Sequence, residues 1–139
     1  MVFGRRIEMA AGTDDMRQER ERPQRMGDLA TLPVFFDLSG KRVIMAGGSD
    51  AAAWKAELLA AAGAAVRLHA EEDALSDEMR SVLEAAFERG SIVHVARGWA
   101  EADFEGVALA VADCETEAEA ESFAAAAHRA GVPLSLIHI

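Results

Sequence analysis

The sequence has a single cysteine, no long apolar run and few basic residues, with 14 Lys and Arg against 24 Asp and Glu. One cysteine excludes an internal disulfide and fits a reducing compartment, so we expect a cytoplasmic protein. No apolar run approaches the length of a membrane span, and the first residues lack the apolar core of a secretory signal. The net charge of −10 argues against nucleic acid or an anionic membrane as a partner.

The acidic charge is confined to the larger part of the chain. Residues 1–28 balance six arginines against six acidic residues and show little apolar periodicity, so we expect a polar, flexible leader. Residues 29–139 carry eight basic and eighteen acidic residues, which accounts for the whole net charge. The length supports one domain with a buried core, and the globular part is predicted to begin near Leu32.

From residue 41 onward, short apolar runs alternate with helical patterns. Strands are predicted at 41–46, 65–69, 92–95, 107–112 and 132–137, and helices at 50–62, from a Ser76 cap to Gly90, and from a Thr116 cap to Gly131. The second helix has a one-sided apolar stripe with helical spacing: Met79, Val82, Leu83, Ala86 and Phe87. This alternation predicts an α/β fold, a Rossmann-like doubly wound parallel sheet of about five strands with helices on both faces.

The most informative local pattern is the turn after the first strand. Gly47 and Gly48 follow an apolar run directly, and an Ala/Leu-rich helix starts at once. Glycines let the backbone approach a pyrophosphate, and the first free N–H groups of a helix point at it. The dinucleotide pattern is met as Gly47-x-Ser49-x-x-Ala52, without its middle glycine. We therefore predict that Gly47, Gly48, Ser49, Asp50 and Ala51 bind a cofactor, with Asp50 either capping the helix or contacting the ribose or nicotinamide.

Two further segments complete the predicted cofactor site. Residues 96–106 leave little room for a helix, so we place the topological switch there, and Gly47–Asp50 should face Asp113–Thr116 across one crevice. This adds Cys114 and Glu115 to the site. Glu71 and Glu72, about 20 residues past the glycines, are predicted to bind the adenosine ribose. Because carboxylates repel a 2′-phosphate, the cofactor is predicted to be NAD, although a solvated acidic loop is the alternative.

No catalytic residue and no metal site is predicted. Cys114 has no histidine beside it in the sequence, and a lone buried thiol is usually inert. The acidic run after it forms a T-x-x-E capping box of Thr116 and Glu119 and lacks the spacing of metal ligands.

Several segments together resemble the N-terminal dinucleotide-binding domain of siroheme synthase, the precorrin-2 dehydrogenase/sirohydrochlorin ferrochelatase family. The segments are 32–38 (LPVFFDL), 43–56 (VIMAGGSDAAAWKA), 62–66 (AGAAV) and 97–106 (RGWAEADFEG), and the resemblance covers about residues 30–137. It implies NAD-dependent oxidation of precorrin-2, a tetrapyrrole, to sirohydrochlorin. In that family iron insertion follows, and a methyltransferase domain is often attached.

The chain departs from the family pattern at three places. Ser49 stands where a third glycine is usual, Cys114-Glu115 where Thr-Asp is usual, and His138 where the family has an aspartate implicated in catalysis. The helical dimerisation region that normally follows is absent, so we expect a domain truncated at its C-terminal end. Such a chain should not oxidise precorrin-2 alone, and a homodimer is expected only with the downstream region. The alternatives are an NAD-sensing regulatory module without catalysis and an inactive fragment whose Ser49 has abolished cofactor affinity.

Overall fold

The computed structural model describes residues 35–137, in which strands and helices alternate. The elements are β1 (Arg42–Ala46), α1 (Asp50–Ala61), β2 (Ala65–His69), α2 (Asp77–Ala86), β3 (Ile92–Val95), β4 (Leu109–Asp113), α3 (Glu117–Ala130) and β5 (Leu134–Ile137). Two single 3₁₀ turns, Glu72–Ala74 and Glu101–Phe104, lie in the connections. All of these elements belong to one compact unit that includes residues 38–137. The predicted leader and His138 lie outside the described residues.

The five strands form one parallel sheet in the order β3-β2-β1-β4-β5. This confirms the predicted Rossmann-like fold, and each predicted strand boundary lies within two residues of the observed one. Connections between parallel strands are right-handed. Because the chain moves from β1 towards β3 but from β4 towards β5, the rule puts α1 and α2 on one face and α3 on the other. None of the described helices is long and apolar enough to cross a membrane.

The face under α3 is closed by three aromatic rings. Phe104 and Phe123 pack with their centroids 5.1 Å apart, and Trp99 stands edge-on to both, at 5.5 Å and 5.4 Å. The rings cover Ile44 of β1 and two alanines of β4, which are all buried. This cluster fixes the connection 96–106, where the sequence leaves no room for a crossover helix, against the sheet.

Two details of the helices differ from the predictions. Phe87 belongs to the predicted apolar stripe of the second helix, but α2 ends one residue before it, at Ala86, and Phe87 is 81% exposed. At α3, Thr116 caps the helix as predicted, accepting the Glu119 N–H at 3.1 Å. The Glu119 carboxylate accepts from the N–H of Glu115 instead of that of Thr116, so the capping box closes one residue earlier.

Candidate functional site

The site lies where β1 and β4 end side by side. Ala46 pairs with Ala112 at their carboxyl ends, and each strand then leads to a helix on a different face of the sheet. Such a divergence opens a crevice beyond the strand ends, which is where open parallel sheets bind ligands. The predicted meeting of Gly47–Asp50 with Asp113–Thr116 is present in the structure, because Ser49 and Gly47 both contact Asp113.

Gly47 is required by the close approach of two backbones. Its φ is +112°, a region that side chains disfavour, and its N–H donates to the carbonyl of His69 at 3.1 Å. A Cβ at Gly47 would lie only 2.7 Å from the Asp113 carbonyl oxygen. Gly47 therefore allows the turn to rest on the end of β4.

Gly48 is also required by close packing within the chain. The sequence predicts that this glycine leaves space for a pyrophosphate, and in the structure the side on which a Cβ would project is filled by the chain itself. A Cβ there would lie 2.8 Å from the Ala74 carbonyl oxygen and 3.0 Å from Leu75 Cδ2, and the Gly48 carbonyl accepts the Ser76 N–H at 2.8 Å. Its φ is not positive, so backbone conformation is not the constraint. Gly48 joins the turn to the segment that opens α2.

Ser49, not Asp50, caps α1. The Ser49 backbone is extended, and its Oγ accepts the N–H of Ala52 at 3.1 Å. Asp50 is the first residue of the helix and is exposed, as is Ala51. A serine directly before a helical pattern is a strong capping signal, and it outranks an aspartate one position later. The N–H groups of Asp50 and Ala51 belong to the first turn and have no acceptor within the helix.

The Ser49 hydroxyl also donates a hydrogen bond to Oδ2 of Asp113. The other oxygen of this carboxylate, Oδ1, is buried and has no hydrogen-bond partner among the described residues. A carboxylate near a helix N-terminus is favoured by the helix dipole. The sequence pattern places Asp113 at the crevice but gives it no role, although an acidic residue at the carboxyl end of a strand beside the switch point is a usable signal.

Cys114 and Glu115 are placed beside the crevice, directly after Asp113. Burial, with Glu119 and Asp113 nearby, raises the pKa of the Cys114 thiol. A protonated thiol is a poor nucleophile, which agrees with assigning it no catalytic role. Glu115 has an exposed side chain, and it is its backbone N–H that bonds to Glu119. Within residues 35–137, no group of three or more His, Cys, Asp or Glu could hold a metal ion.

At the end of β2, Glu71 and Glu72 are both exposed, and Glu72 is in contact with an arginine. Arg80 of α2 reaches back to Glu72, with Nη1 3.2 Å from the carboxylate and Nη2 2.7 Å from the carbonyl oxygen. No arginine follows β2 directly in the sequence, yet α2 places one beside the end of this strand. An ion pair this exposed contributes roughly 0–1 kcal/mol, so Arg80 remains available to other anions.

A second charged cluster, formed by Arg97, Asp103 and His69, lies beside the last residue of β2. The sequence pattern did not predict it. Arg97 donates to both oxygens of Asp103, at 3.0 and 3.1 Å, and together with the Ala100 N–H it lowers the pKa of Asp103 to about 2. His69 is 2% exposed, with Nδ1 3.9 Å from Asp103 Oδ2. Burial lowers the pKa of His69, and Asp103 opposes this shift. Neither ring nitrogen forms a hydrogen bond within the described part of the chain.

The sequence of residues 34–138 matches the family described as "Putative NAD(P)-binding". The match covers well over half of the chain, and the chain belongs to this NAD(P)-binding family.

The chain is also similar in sequence to two siroheme synthases. The chain is 37% identical over 106 residues to the siroheme synthase of Pseudomonas fluorescens (strain Pf0-1) and 35% identical over 108 residues to that of Azotobacter vinelandii (strain DJ). Each match covers 76% of this chain and 22% of the relative, so the chain spans about a fifth of the length of these proteins.

Among solved structures, the fold is similar to that of "SirC, precorrin-2 dehydrogenase". The TM-score is 0.57 at 21% sequence identity, and the match covers 74% of this chain and 47% of the other. At this identity the likeness is one of fold.

The residues of the crevice fit the ribose of a nicotinamide dinucleotide but not its diphosphate. The crevice, the open first turn of α1 and the exposed Glu71 suit the backbone contacts and the ribose. The Asp113 carboxylate on Ser49 does not suit the diphosphate, because it puts a negative charge beside the N–H groups that would receive one.

Proposed function

We propose that this chain is the NAD(P)-binding domain of a precorrin-2 dehydrogenase, which oxidises the tetrapyrrole precorrin-2 to sirohydrochlorin in siroheme synthesis. The similarity to siroheme synthases supports the reaction. The observation that carries the cofactor role is the crevice between Gly47–Ala51 and Asp113–Thr116 at the carboxyl ends of β1 and β4. In this proposal residues 35–137 bind and orient the cofactor, and none of them is assigned a catalytic step.

We further propose NAD as the cofactor, with Glu71 as the residue that selects it. Glu71 follows β2, where a carboxylate accepts hydrogen bonds from the ribose hydroxyls, and its side chain is exposed. Arg80 favours the opposite choice, because its exposed ion pair with Glu72 leaves the guanidinium able to bind a 2′-phosphate. The preference for NAD is therefore expected to be moderate, about tenfold in Kd, an energy difference close to 1.4 kcal/mol.

Titration calorimetry with NAD and NADP tests both statements. Wild-type protein should bind NAD more tightly, Glu71→Gln should lose the preference, and Glu78→Gln, the same change at an exposed position in the first turn of α2, should keep it. Equal or tighter binding of NADP would refute the specificity. Binding of neither dinucleotide would refute the cofactor role.

The reaction needs its own measurement. Precorrin-2 and NAD are incubated with the protein, and sirohydrochlorin is followed by its absorbance. NAD-dependent formation of sirohydrochlorin supports a dehydrogenase. Tight NAD binding without turnover, in this chain and in a longer form carrying the family aspartate and helical region, would favour a regulatory NAD-sensing domain instead.

A further inference from the structure

We propose that the Asp113 carboxylate sets the affinity of the cofactor site: it holds the place at the N-terminus of α1 that a diphosphate would take, and a dinucleotide binds only when this carboxylate leaves Ser49. The inference rests on the proposed dinucleotide site and identifies the residue that limits its affinity.

Two separate contacts fix Asp113 beside the glycine turn. Its carbonyl oxygen and Cβ lie 2.7 Å and 3.0 Å from the position of a Cβ on Gly47, so the backbones touch. Its Oδ2 accepts the Ser49 hydroxyl hydrogen bond. The strand register, with Ala46 opposite Ala112, puts Asp113 level with Gly47. The carboxylate is therefore held at the mouth of the turn by the sheet itself.

The Ser49 hydroxyl connects this carboxylate to the helix. The hydroxyl accepts a hydrogen bond from the N–H of Ala52 and donates one to the Asp113 carboxylate. Ser49 therefore links an N–H of the first helical turn to an anion. The positive end of the helix dipole attracts negative charge of any source. Asp113 thus provides from within the chain the negative charge that a phosphate group would otherwise supply.

The charges around Asp113 strengthen its effect. Every charged side chain in residues 47–51 and 113–117 is acidic: Asp50, Asp113, Glu115 and Glu117. A diphosphate entering the crevice meets four negative charges in these two segments, and Asp113 is the one in contact with the turn. Two like charges about 4 Å apart repel each other in water, and they repel more strongly near a protein surface.

Breaking the Ser49–Asp113 bond frees the helix end. The released carboxylate gains water, its Ser49 partner keeps the Ala52 N–H, and the first-turn N–H groups can then receive the diphosphate. Because the opposing force is charge repulsion, salt should weaken it. Wild-type protein should therefore bind NAD more tightly at moderate than at low ionic strength.

The test is the Kd for NAD of wild-type protein, Asp113→Asn and Asp113→Ala, measured by titration calorimetry at low and moderate salt. Both variants should bind at least about tenfold more tightly than wild-type protein at low salt. The gain from salt should be smaller in both variants than in wild-type protein, because only three of the four negative charges remain. Glu57→Gln, which removes one negative charge from an exposed position two turns along α1, should stay within about twofold, because distance and solvent screen that charge.

The outcomes separate this inference from the proposed function. Measurable wild-type binding that both Asp113 variants leave unchanged or weaken overturns the role of Asp113 and keeps the cofactor assignment. No binding by wild-type protein and both variants overturns the two together. Circular dichroism and thermal melting check the fold, and if Asp113→Ala fails to fold, the isosteric Asp113→Asn decides.

Discussion

The carbonyl of Gly48 accepts a hydrogen bond from the N–H of Ser76 at 2.8 Å, which ties the turn after β1 to the start of α2. Ser76 also caps that helix, with Oγ accepting the Met79 N–H at 3.0 Å. The two segments that flank the ribose side of the crevice are therefore one connected piece of structure. A substitution in either segment should therefore alter the position of the other segment.

Replacing Gly48 should damage the fold before it damages binding. Gly48→Ala introduces a methyl group 2.8 Å from the Ala74 carbonyl oxygen, and we expect it to lower the free energy of unfolding by about 1–3 kcal/mol. Urea denaturation measures the loss. Gly98→Ala is the matched control, because a Cβ there has no neighbour within 4 Å in the described structure and φ is not positive. Equal stability of the two variants would contradict the packing role of Gly48.

Ser49 should contribute more to stability than an ordinary helix cap. Ser76→Ala removes a cap alone and is expected to cost about 0.5–2 kcal/mol. Ser49→Ala also removes the donor to Asp113, and an unpaired carboxylate oxygen adds a further loss of about 1–3 kcal/mol. In an Asp113→Ala background the extra loss should vanish, which a double-mutant cycle by chemical denaturation detects. Identical losses for Ser49→Ala and Ser76→Ala would argue against the coupling.

The Arg97–Asp103 pair predicts a loss of stability in acid. The pKa of Asp103 is depressed from 3.8 to about 2, so its stabilising effect is complete above pH 3.8 and is lost as the pH falls towards 2. Asp103→Asn lacks this effect at every pH. The melting temperatures of the two proteins should therefore differ at pH 5 and converge near pH 2. A constant difference over this range would show that the charge of Asp103 is not responsible.

His69 predicts a second pH dependence, at higher pH. Its pKa is lowered from 6.5 in the folded state, so the unfolded chain takes up the proton first and stability falls as the pH drops below 6.5. The slope is at most about 1.4 kcal/mol per pH unit. The charged groups that act on the ring are Asp103, Arg97 and Arg67.

The variant His69→Leu isolates this effect. An apolar side chain of similar size suits a buried site whose ring nitrogens have no hydrogen-bond partner among the described residues. Unfolding free energies from pH 7.5 to 5.5 should then be nearly flat. His128→Leu, the same change at an exposed position of α3, should keep the wild-type slope. A persistent slope in His69→Leu would assign the effect to another group.

The fold was predictable because its signals are local. The period of the apolar residues, the serine and threonine caps and the glycines mark each element within a few positions. The short connection 96–106 also placed the switch correctly, because eleven residues without helical patterning cannot form a full crossover helix.

The site was predictable only in outline, because its decisive contacts join distant parts of the chain. The partnership of Ser49 with Asp113 depends on β4 pairing with β1, and that of Arg80 with Glu72 depends on the phase of α2. The packing of Gly48 depends on the path of residues 74–76, and the spacing of apolar residues in the sequence does not predict that path. Sequence patterns locate a crevice, whereas the atoms that occupy it follow from the tertiary structure.

The pairing of β4 with β1 has a kinetic consequence. The strands β1, β2 and β3 each join a sequence neighbour, whereas Ser49 and Asp113 meet across 64 positions of the chain. Closing so long a loop costs conformational entropy, and only the contacts of the completed sheet offset that cost. Long-range parallel strand pairing is therefore slow to form. We expect the half containing β1 to β3 to become ordered first on refolding. The crevice would then appear only when β4 docks, and a ligand of that crevice would bind to the last structure formed.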